Sequence, residues 1–310
     1  MRSFFTKILC SLAPTRCLKS KIRYALWNKL ESKLPYKNFL AITAIVKDEG
    51  QYFKEWIEYH TLVGVEKFYI YDNGSTDNTK EILKTYIDQG IVEYIYFPGK
   101  KAQKPAYRDC IKKYKYDSKW IAFIDLDEFI VPLETETVPE FLEQMPKTAT
   151  QLCFGWINYG DSGFEEQQDG LVIETFKHTP GKAANYGKYI VNPRDVRKPN
   201  VHKCKMFGGL TVDENMKSLK WYDWQLDRAI LKQGYSIQKI RINHYQIKSW
   251  EEYSKKYNRG HVNRDCKPKY TRELYDRINA DKNVEDNTMN KYVSPLKNRL
   301  HAKKNENGLV

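Results

Sequence analysis

Short apolar segments alternate with amphipathic segments over residues 39–130. The apolar segments have the length and the β-branched and aromatic content of strands, and the amphipathic segments have apolar residues at helical spacing. The strand candidates are FLAITAIV (39–46), KFYIYDN (67–73), IVEYIYF (91–97) and WIAFIDLDEF (120–129). Because strands that alternate with helices form βαβ units, the sequence predicts an α/β fold with a mostly parallel central sheet flanked by helices.

The second half of the chain is less regular. Residues 150–160 have the composition of a strand, whereas residues 161–220 are rich in Gly, Pro, Asn and Lys and predict loops around a cleft. Residues 222–245 predict a helix followed by a strand. Ser249 and Glu252 then have the spacing of a capping box at the start of another helix.

Positive charge is concentrated at the N-terminus. The chain carries 52 Lys and Arg against 39 Asp and Glu, a net charge of +13, and residues 1–37 hold nine Lys and Arg but one Glu. Phe4, Phe5, Ile8 and Leu9 fall on one face of a helix in this leader. The pattern is typical of a helix that binds an anionic membrane surface peripherally, with a basic helix packed on the rest of the protein as the alternative.

The sequence also predicts where the protein resides. No stretch of about 18 consecutive apolar residues predicts a membrane-spanning helix. The six cysteines are scattered without the spacing of a metal site, which favours free thiols in a reducing compartment. We therefore expect a cytoplasmic protein with peripheral contact to the inner face of the cell membrane.

Three carboxylates, Asp125, Asp127 and Glu128, follow the most hydrophobic strand candidate. Burying such charges is costly unless they are paired or bind a cation. Alternation along a strand would point Asp125 and Asp127 to the same side, where a hard divalent cation such as Mn²⁺ or Mg²⁺ would relieve their repulsion. Ligands of parallel α/β sheets bind at the carboxyl ends of strands, where Asp72 also lies. The sequence therefore predicts a site for a metal ion and a diphosphate.

Four segments carry a resemblance to a known family: VKDEG (46–50), EWIEYHTLVGVEKFYIYDNGSTDNT (55–79), WIAFIDLDEFIVP (120–132) and, more loosely, INHYQIKSWEEYSKKYNRG (242–260). In order and spacing they resemble the GT-A glycosyltransferases, in particular glycosyltransferase family 2 and the related family 92-like bacterial enzymes. The resemblance implies a GT-A fold and an inverting, metal-dependent transfer of a hexose from a nucleotide-diphospho-sugar, in particular a UDP-sugar. The acceptor would be a saccharide or a lipid-linked saccharide in bacterial surface polysaccharide or lipopolysaccharide synthesis.

The resemblance also implies roles for the acidic residues. Asp72 matches the residue that reads the uracil edge, and Asp125 and Asp127 match the pair at the ribose and the metal-bound diphosphate, with Asp127 the firmer metal ligand. Glu49 matches an acidic residue near the nucleotide, although it lies in KDEG and not in the more common YNE. The alternative is that Asp72 and Asp77 are turn and cap residues.

The far side of the site has several candidate residues in the sequence. His244 resembles a histidine that completes the metal or diphosphate site, His202 is its rival, and either could be structural. The reaction also needs a general base for the acceptor hydroxyl. Asp223 resembles the aspartate of a family 2 helix, although the glutamate that usually precedes it is missing, and helix capping is its alternative role. Asp213 and Glu214 are the other candidates for the base.

Three other functions fit the sequence less well. A haloacid-dehalogenase-like phosphatase would have Thr where this chain has Phe129. A nucleotidyltransferase of related fold would have a Gly-rich basic signature after the first strand, which IVKDEGQYF lacks. A nucleic-acid-binding protein could use the net positive charge, but most of that charge lies in the leader and no recognised nucleic-acid motif is present. The expected partners are a nucleotide sugar and its acceptor, and not a nucleic acid.

These features predict three segments: a basic amphipathic leader (1–37), a GT-A catalytic domain (38–262) and a polar C-terminal tail (263–310) that is helical and partly disordered. Within the catalytic domain, residues 38–132 would bind the nucleotide and residues 133–262 the acceptor.

Overall fold

The structure of the protein is a computed structural model that describes residues 35–225, 230–258 and 271–307. The predicted leader lies outside these residues except for its last three. Within the described ranges, no helix is both long enough and apolar enough to cross a bilayer.

The strands of the described residues, in chain order, are β1 (Asn38–Val46), β2 (Lys67–Asp72), β3 (Val92–Tyr96), β4 (Ser118–Phe123), β5 (Glu128–Pro132), β6 (Ala149–Asn158), β7 (His178–Thr179), β8 (Gly187–Val191), β9 (Val196–Lys198), β10 (Lys205–Met206), β11 (Leu210–Val212), β12 (Ser218–Leu219), β13 (Ile240–His244) and β14 (Val284–Glu285). The helices are α1 (Phe53–Leu62), α2 (Thr79–Asp88), α3 (Gln103–Tyr114), α4 (Val138–Glu143), α5 (Val172–Thr175), α6 (Trp250–Asn258), α7 (Arg272–Asn279) and α8 (Asn290–Asn307). Short 3₁₀ turns cover Gly50–Tyr52, Pro193–Asp195 and Trp221–Asp223.

A ten-stranded sheet forms the centre of the described structure. Its main path has the order β12-β11-β6-β8-β4-β1-β2-β3, and β13 pairs with both β5 and β6. Strands β4, β1, β2 and β3 pair in parallel, whereas β8 runs antiparallel to both of its neighbours. The predicted α/β fold with a mostly parallel central sheet is confirmed.

Strand β1 is covered on both faces, which explains its continuous apolar sequence. On one face, Ile42 packs in the same core as Trp56 of α1, and on the other face Ala41 packs in the same core as Tyr107 of α3. All four side chains are fully buried. The indole N–H of Trp56 also donates to the carbonyl of Glu128 at 2.9 Å, so α1 fixes the first residue of β5.

The predicted strand over residues 120–129 is wrong as a single element. Strand β4 ends at Phe123, and β5 begins at Glu128 and pairs antiparallel with β13. Asp125 and Asp127 therefore lie in the turn between two strands. The argument from strand alternation does not apply to them, because an apolar sequence does not show where a chain leaves one strand and enters another.

Residues 161–220, predicted as loops, also contribute a central strand. All five residues of β8 are buried between β4 and β6. Gly187 begins this strand, and a Cβ there would lie 2.1 Å from the carbonyl oxygen of Phe154. Only glycine allows so close an approach of the two backbones. The next residue, Lys188, is placed inside the sheet by this pairing.

The helix predicted after residue 222 is not formed in the part that the structure describes. Residues Trp221–Asp223 form a 3₁₀ turn, and Trp224 pairs with Leu231 in an isolated antiparallel bridge. The N–H of Gln225 donates to the carbonyl of Ile230 at 2.9 Å. These contacts pair the residues on either side of positions 226–229, which lie outside the described ranges.

The described part of the predicted C-terminal tail packs on the rest of the protein. Leu296 of α8 is fully buried, and α8 contacts α1. Glu58 of α1 is 1% exposed and forms an ion pair with Arg299 at 2.8 Å. Its other carboxylate oxygen lies 3.4 Å from the ammonium of Lys303. Since β14 also pairs with β7, residues 271–307 are packed as part of the fold, and the partial disorder of the tail stays a prediction.

Candidate functional site

Residues Asp125–Glu128, which we call the acidic turn, connect β4 to β5 at the carboxyl end of β4. The N–H of Asp125 donates to a carboxylate oxygen of Glu128 at 3.0 Å, and the N–H of Glu128 donates to the carbonyl of Asp125 at 3.1 Å. The N–H of Tyr245, just after β13, donates to the carbonyl of Asp127 at 2.8 Å. The backbone of the acidic turn is therefore held by its own residues and by the chain that leaves β13.

Lys188 of β8 neutralises one side of the acidic turn. Its ammonium, which is fully buried, lies 2.8 Å from Asp125 and 3.3 Å from Glu128. Burial alone would lower the pKa of Lys188, but the two carboxylates raise it above its usual value, so the lysine stays charged. The side-chain amide of Gln103 donates to the other oxygen of Asp125 at 3.1 Å.

Glu128 is the most constrained carboxyl of the turn. Burial raises its pKa well above the usual range, against the opposing effect of Lys188. Its second carboxyl oxygen is buried and has no hydrogen-bond partner among the described residues. The sequence predicted that the three carboxylates are close together. It did not predict that a lysine from another strand contacts two of them, Asp125 and Glu128.

A second lysine neutralises the other side of the turn. The carboxylate of Asp127 pairs with the ammonium of Lys256 on α6, and its other oxygen lies 3.7 Å from Nε2 of His244. Burial would raise the pKa of Asp127, but Lys256, His244 and Lys248 hold it well below its usual range. Asp127 is therefore ionised at neutral pH.

His244 is the predicted histidine that the structure places beside the acidic turn. Burial lowers its pKa to about 4, so the ring is neutral at pH 7. Its Nδ1 lies 3.1 Å from the side-chain oxygen of Asn158, which favours the tautomer that donates from Nδ1. The lone pair on Nε2 then faces Asp127.

His202 lies near the same region but makes different contacts. Its Nδ1 is 3.2 Å from the carbonyl of Gly187, and its ring packs against Trp156 and Tyr186 with centroid distances of 5.3 and 5.1 Å. Burial and the neighbouring Lys188 lower its pKa to about 4. Trp156 lies between the two histidines, because its ring centroid is also 4.5 Å from that of His244.

These side chains do not form a complete metal site. A carboxylate oxygen of Asp127 and Nε2 of His244 lie 3.7 Å apart, and both are atoms that bind metal ions. However, within the described ranges no three His, Cys, Asp or Glu side chains converge as a metal site would require. Asp125 and Asp127 are instead each paired with a lysine. In the described structure, lysines therefore balance the charge of Asp125 and Asp127.

A cavity of about 270 Å³ lies beside the carboxyl end of β2. Asp72 is buried in its wall, where one carboxylate oxygen accepts the N–H of Ser75 at 2.7 Å and the other accepts the hydroxyl of Tyr94 at 2.6 Å. Tyr96, which is 63% exposed, lines the opening. Asp77 also lines the cavity, while one of its oxygens accepts the N–H of Gly50 at 2.9 Å. Both aspartates thus have the local hydrogen bonds of turn residues and face a cavity.

Glu49 follows β1. In the sheet, β1 lies between β2, which ends at the cavity, and β4, which ends at the acidic turn. Its carbonyl accepts the N–H of Tyr52 at 3.1 Å in the following 3₁₀ turn. Its charge is one of the influences that raise the pKa of Tyr52 and that oppose the lowering of the pKa of Lys248 by burial. The role of Glu49 near the nucleotide stays a prediction.

The three candidates for the general base are not joined to the acidic turn. Glu214 is buried at the start of β13, the end opposite to His244, and accepts backbone N–H groups from residues 238–240 at 2.9–3.2 Å. Asp213 accepts the N–H groups of residues 215 and 217. Asp223 accepts the N–H of Lys220 at 2.6 Å. Each carboxylate accepts backbone N–H groups in the described structure, and the role of each in catalysis stays a prediction.

A family model described as glycosyltransferase family 92 matches residues 42–278. This chain belongs to glycosyltransferase family 92. The match includes the cavity at Asp72, the acidic turn, β8 and α6. The part of the predicted resemblance that named family 92 is therefore confirmed.

Curated relatives come from plants and from a nematode. A glycosyltransferase family 92 protein of Arabidopsis thaliana is 31% identical over 234 residues, covering 74% of this chain and 39% of the relative. The galactan β-1,4-galactosyltransferase GALS2 of the same plant is 30% identical over 199 residues (56% and 37%). The β-1,4-galactosyltransferase galt-1 of Caenorhabditis elegans is 23% identical over 235 residues (69% and 49%). The chain spans less than half the length of these relatives.

Solved structures show weaker likeness. The TarS protein of S. aureus, residues 1–349, has a TM-score of 0.35 at 13% identity and covers 50% of this chain and 47% of its own. Glucosyl-3-phosphoglycerate synthase of Mycobacterium tuberculosis, in complex with Mn²⁺, UDP and glucosyl-3-phosphoglycerate, has a TM-score of 0.30 at 12% identity and covers 59% and 63%. Likeness at this level assigns no residue of the site.

Proposed function

We propose that this glycosyltransferase moves a hexose from a UDP-sugar to a hydroxyl of a saccharide acceptor, with inversion. The observation that carries the proposal is the placement of the two features of the site. The cavity at Asp72 follows β2 and the acidic turn follows β4, on either side of β1. Two strand spacings separate them by about 10 Å. A nucleoside diphosphate spans such a gap, with its base at Asp72 and its phosphates at the acidic turn.

The charges at the acidic turn support the same assignment. In glycosyl transfer the bond between the sugar and the diphosphate breaks, and negative charge develops on the leaving group. Lys188 and Lys256 are held beside the turn by Asp125 and Asp127. Fixed cations in a partly buried site stabilise such charge without reorganisation at the moment of reaction.

Galactose is the first sugar to test, because two of the relatives are named as β-1,4-galactosyltransferases. The general base stays a prediction, with Asp223, Asp213 and Glu214 as the candidates. The need for Mn²⁺ or Mg²⁺ also stays a prediction. The same holds for the lipid-linked acceptor, the cytoplasmic membrane location and the role in bacterial surface polysaccharide or lipopolysaccharide synthesis.

The proposal is tested by UDP release from a panel of nucleotide sugars that includes UDP-galactose, UDP-glucose and GDP-mannose, each with a panel of oligosaccharides. We expect acceptor-dependent release of UDP from one UDP-sugar. Parallel reactions with Mn²⁺, with Mg²⁺ and with EDTA test the predicted cofactor. If no nucleotide sugar is consumed and UDP does not raise the unfolding temperature, the assignment of the cavity and the acidic turn to a donor is wrong.

A further inference from the structure

Lys248 lies four residues after β13 in a strained backbone conformation. Its φ of +52° is in the left-handed region, which costs free energy for any residue with a Cβ. Two contacts on its flanks hold this conformation. The hydroxyl of Tyr275 donates to the carbonyl of Lys248 at 3.1 Å, and Ser249 begins the capping interaction with Glu252 that starts α6. Strain of this kind is concentrated at functional sites.

The side chain of Lys248 is buried but poorly satisfied. The residue is 5% exposed, and among the described residues its ammonium donates to the carbonyl of Tyr245 alone, at the long distance of 3.4 Å. The ammonium also lies 4.3 Å from the ring centroid of Tyr52, a cation–π contact. An ammonium has three donors, so donor capacity remains in a place where an unsatisfied charge is costly.

Carboxylates surround Lys248 without pairing with it. Asp127, Glu252 and Glu49 act on its charge, but none forms an ion pair with Lys248 in the described structure. The carboxylate of Asp127 is paired with Lys256, and Glu252 accepts the hydroxyl of Tyr52 at 2.6 Å. The neighbouring anions therefore already have other partners.

We propose that Lys248 binds the diphosphate of the nucleotide donor and remains with the UDP that leaves. This inference rests on the proposed function, because it concerns the same site. Tyr245 connects Lys248 to the acidic turn, because its N–H donates to the carbonyl of Asp127 at 2.8 Å and its own carbonyl accepts the ammonium of Lys248 at 3.4 Å. Of the cations at the site, Lys188 and Lys256 are engaged by the acidic turn. Lys248 is the cation near Asp127 whose described contacts leave donors for an incoming phosphate oxygen.

Lys248→Met tests the proposal because it keeps the length of the side chain and removes the charge. We expect its affinity for UDP to fall about tenfold to a hundredfold, the effect of losing one hydrogen bond to a charged group. Affinity for uridine, which has no phosphate, should not change. Isothermal titration calorimetry with UDP and with uridine, in Mn²⁺ and in EDTA, measures the ratio of the variant's affinity to that of the wild-type protein for each ligand. Lys255→Met is the matched control, since this exposed lysine of α6 pairs with Glu251 and should leave both affinities unchanged.

A structural role for Lys248 predicts different results. If Lys248→Met weakened UDP and uridine equally, or left UDP affinity at the wild-type value, the proposal would be overturned. Thermal unfolding provides a second readout. Replacing a buried charge that lacks an ion-pair partner by an apolar side chain should keep or raise the unfolding temperature, whereas a structural lysine would lower it. If the Met variant does not fold, Lys248→Gln is titrated in its place.

Inorganic pyrophosphate separates failure of this inference from failure of the proposed function. If the wild-type protein binds neither UDP nor uridine, the proposed function fails. Pyrophosphate binding by the wild-type protein that is lost in Lys248→Met would still support an anion site at Lys248. Equal binding to both proteins, or no binding to either, contradicts it.

Discussion

The cavity at Asp72 and the acidic turn are held together in different ways. At the cavity, Asp72 accepts hydrogen bonds from Ser75, three residues away, and from Tyr94, 22 residues away. At the acidic turn, the partners of Asp125 and Asp127 are lysines 63 and 129 residues away. The first region is a product of two consecutive βα units. The second requires that β8 pairs with β4 and that α6 brings Lys256 to Asp127.

This difference predicts two kinds of sensitivity. The cavity depends on hydrogen bonds in which at most one of the two groups is charged, and each contributes modestly to stability. The acidic turn depends on buried ion pairs, and removal of one partner leaves an uncompensated charge. Substitutions at the turn should therefore affect stability and catalysis more than substitutions at the cavity.

Lys188→Met should have the largest effect on stability. It removes a fully buried ammonium and leaves Asp125 and Glu128 facing each other, which should cost about 3–5 kcal/mol of the free energy of unfolding. Urea denaturation measures this change. Lys255→Met is the matched control, since this lysine is 59% exposed and pairs with the exposed Glu251, so its loss should cost at most about 1 kcal/mol. Equal losses in the two variants would show that the acidic turn does not depend on the charge of β8.

Asp127→Asn should have the largest effect on activity. The amide has the shape of the carboxylate but cannot hold the ammonium of Lys256 by charge. Because Lys256 is partly exposed, water can solvate it and the fold should be retained. We expect the rate of UDP release to fall about a hundredfold or more, the scale of losing one electrostatic contribution to a transition state. Turnover at the wild-type rate would contradict the assignment of the acidic turn to the donor.

Glu214→Gln separates a structural carboxylate from a general base. Glu214 accepts three backbone N–H groups at the start of β13, so the variant should lose about 1–3 kcal/mol of stability. Its rate per folded molecule should stay near that of the wild-type protein. Asp213→Asn and Asp223→Asn are assayed beside it under the same conditions. A loss of several orders of magnitude in one of the three, with the fold intact, would identify that residue as the base.

Tyr94→Phe should have the smallest effect. It removes one hydroxyl that donates to Asp72 at 2.6 Å and leaves the ring in place. The expected cost is about 1 kcal/mol of stability, with UDP affinity changed by less than tenfold. Thermal unfolding and UDP titration measure the two effects. An effect as large as that of Lys188→Met would remove the contrast between the two regions.

The same contrast explains what could be predicted from the sequence. Strands β1 to β3 and helices α1 to α3 follow from local periodicity, because the apolar residues in the sequence of each element form its buried face. Asp72 was predicted at the site since it ends such a strand. The acidic turn was predicted by composition but was placed on a strand, because its apolar neighbours continue through the turn.

The partners of the acidic turn could not be predicted because they are distant in sequence. Lys188 lies in GKYIV, a five-residue strand within a segment that predicts loops. A lysine flanked by apolar strand residues is a signal of a buried ion pair, but it does not name the partner. Lys256 has the spacing of an ordinary helix-surface residue. Asp223 was chosen by its resemblance to a family 2 helix, and Asp213 and Glu214 as alternative carboxylates. The structure uses these carboxylates in local turns and at the start of β13.

A crystal structure of the protein with UDP tests the central claim most directly. We expect the uracil in the cavity beside Asp72 and the diphosphate beside the acidic turn, within hydrogen-bond distance of the ammonium of Lys248. Data from crystals grown with Mn²⁺ and with EDTA would show whether a metal ion joins Asp127. A diphosphate bound away from Asp125 and Asp127, or a uracil outside the cavity, would contradict the account.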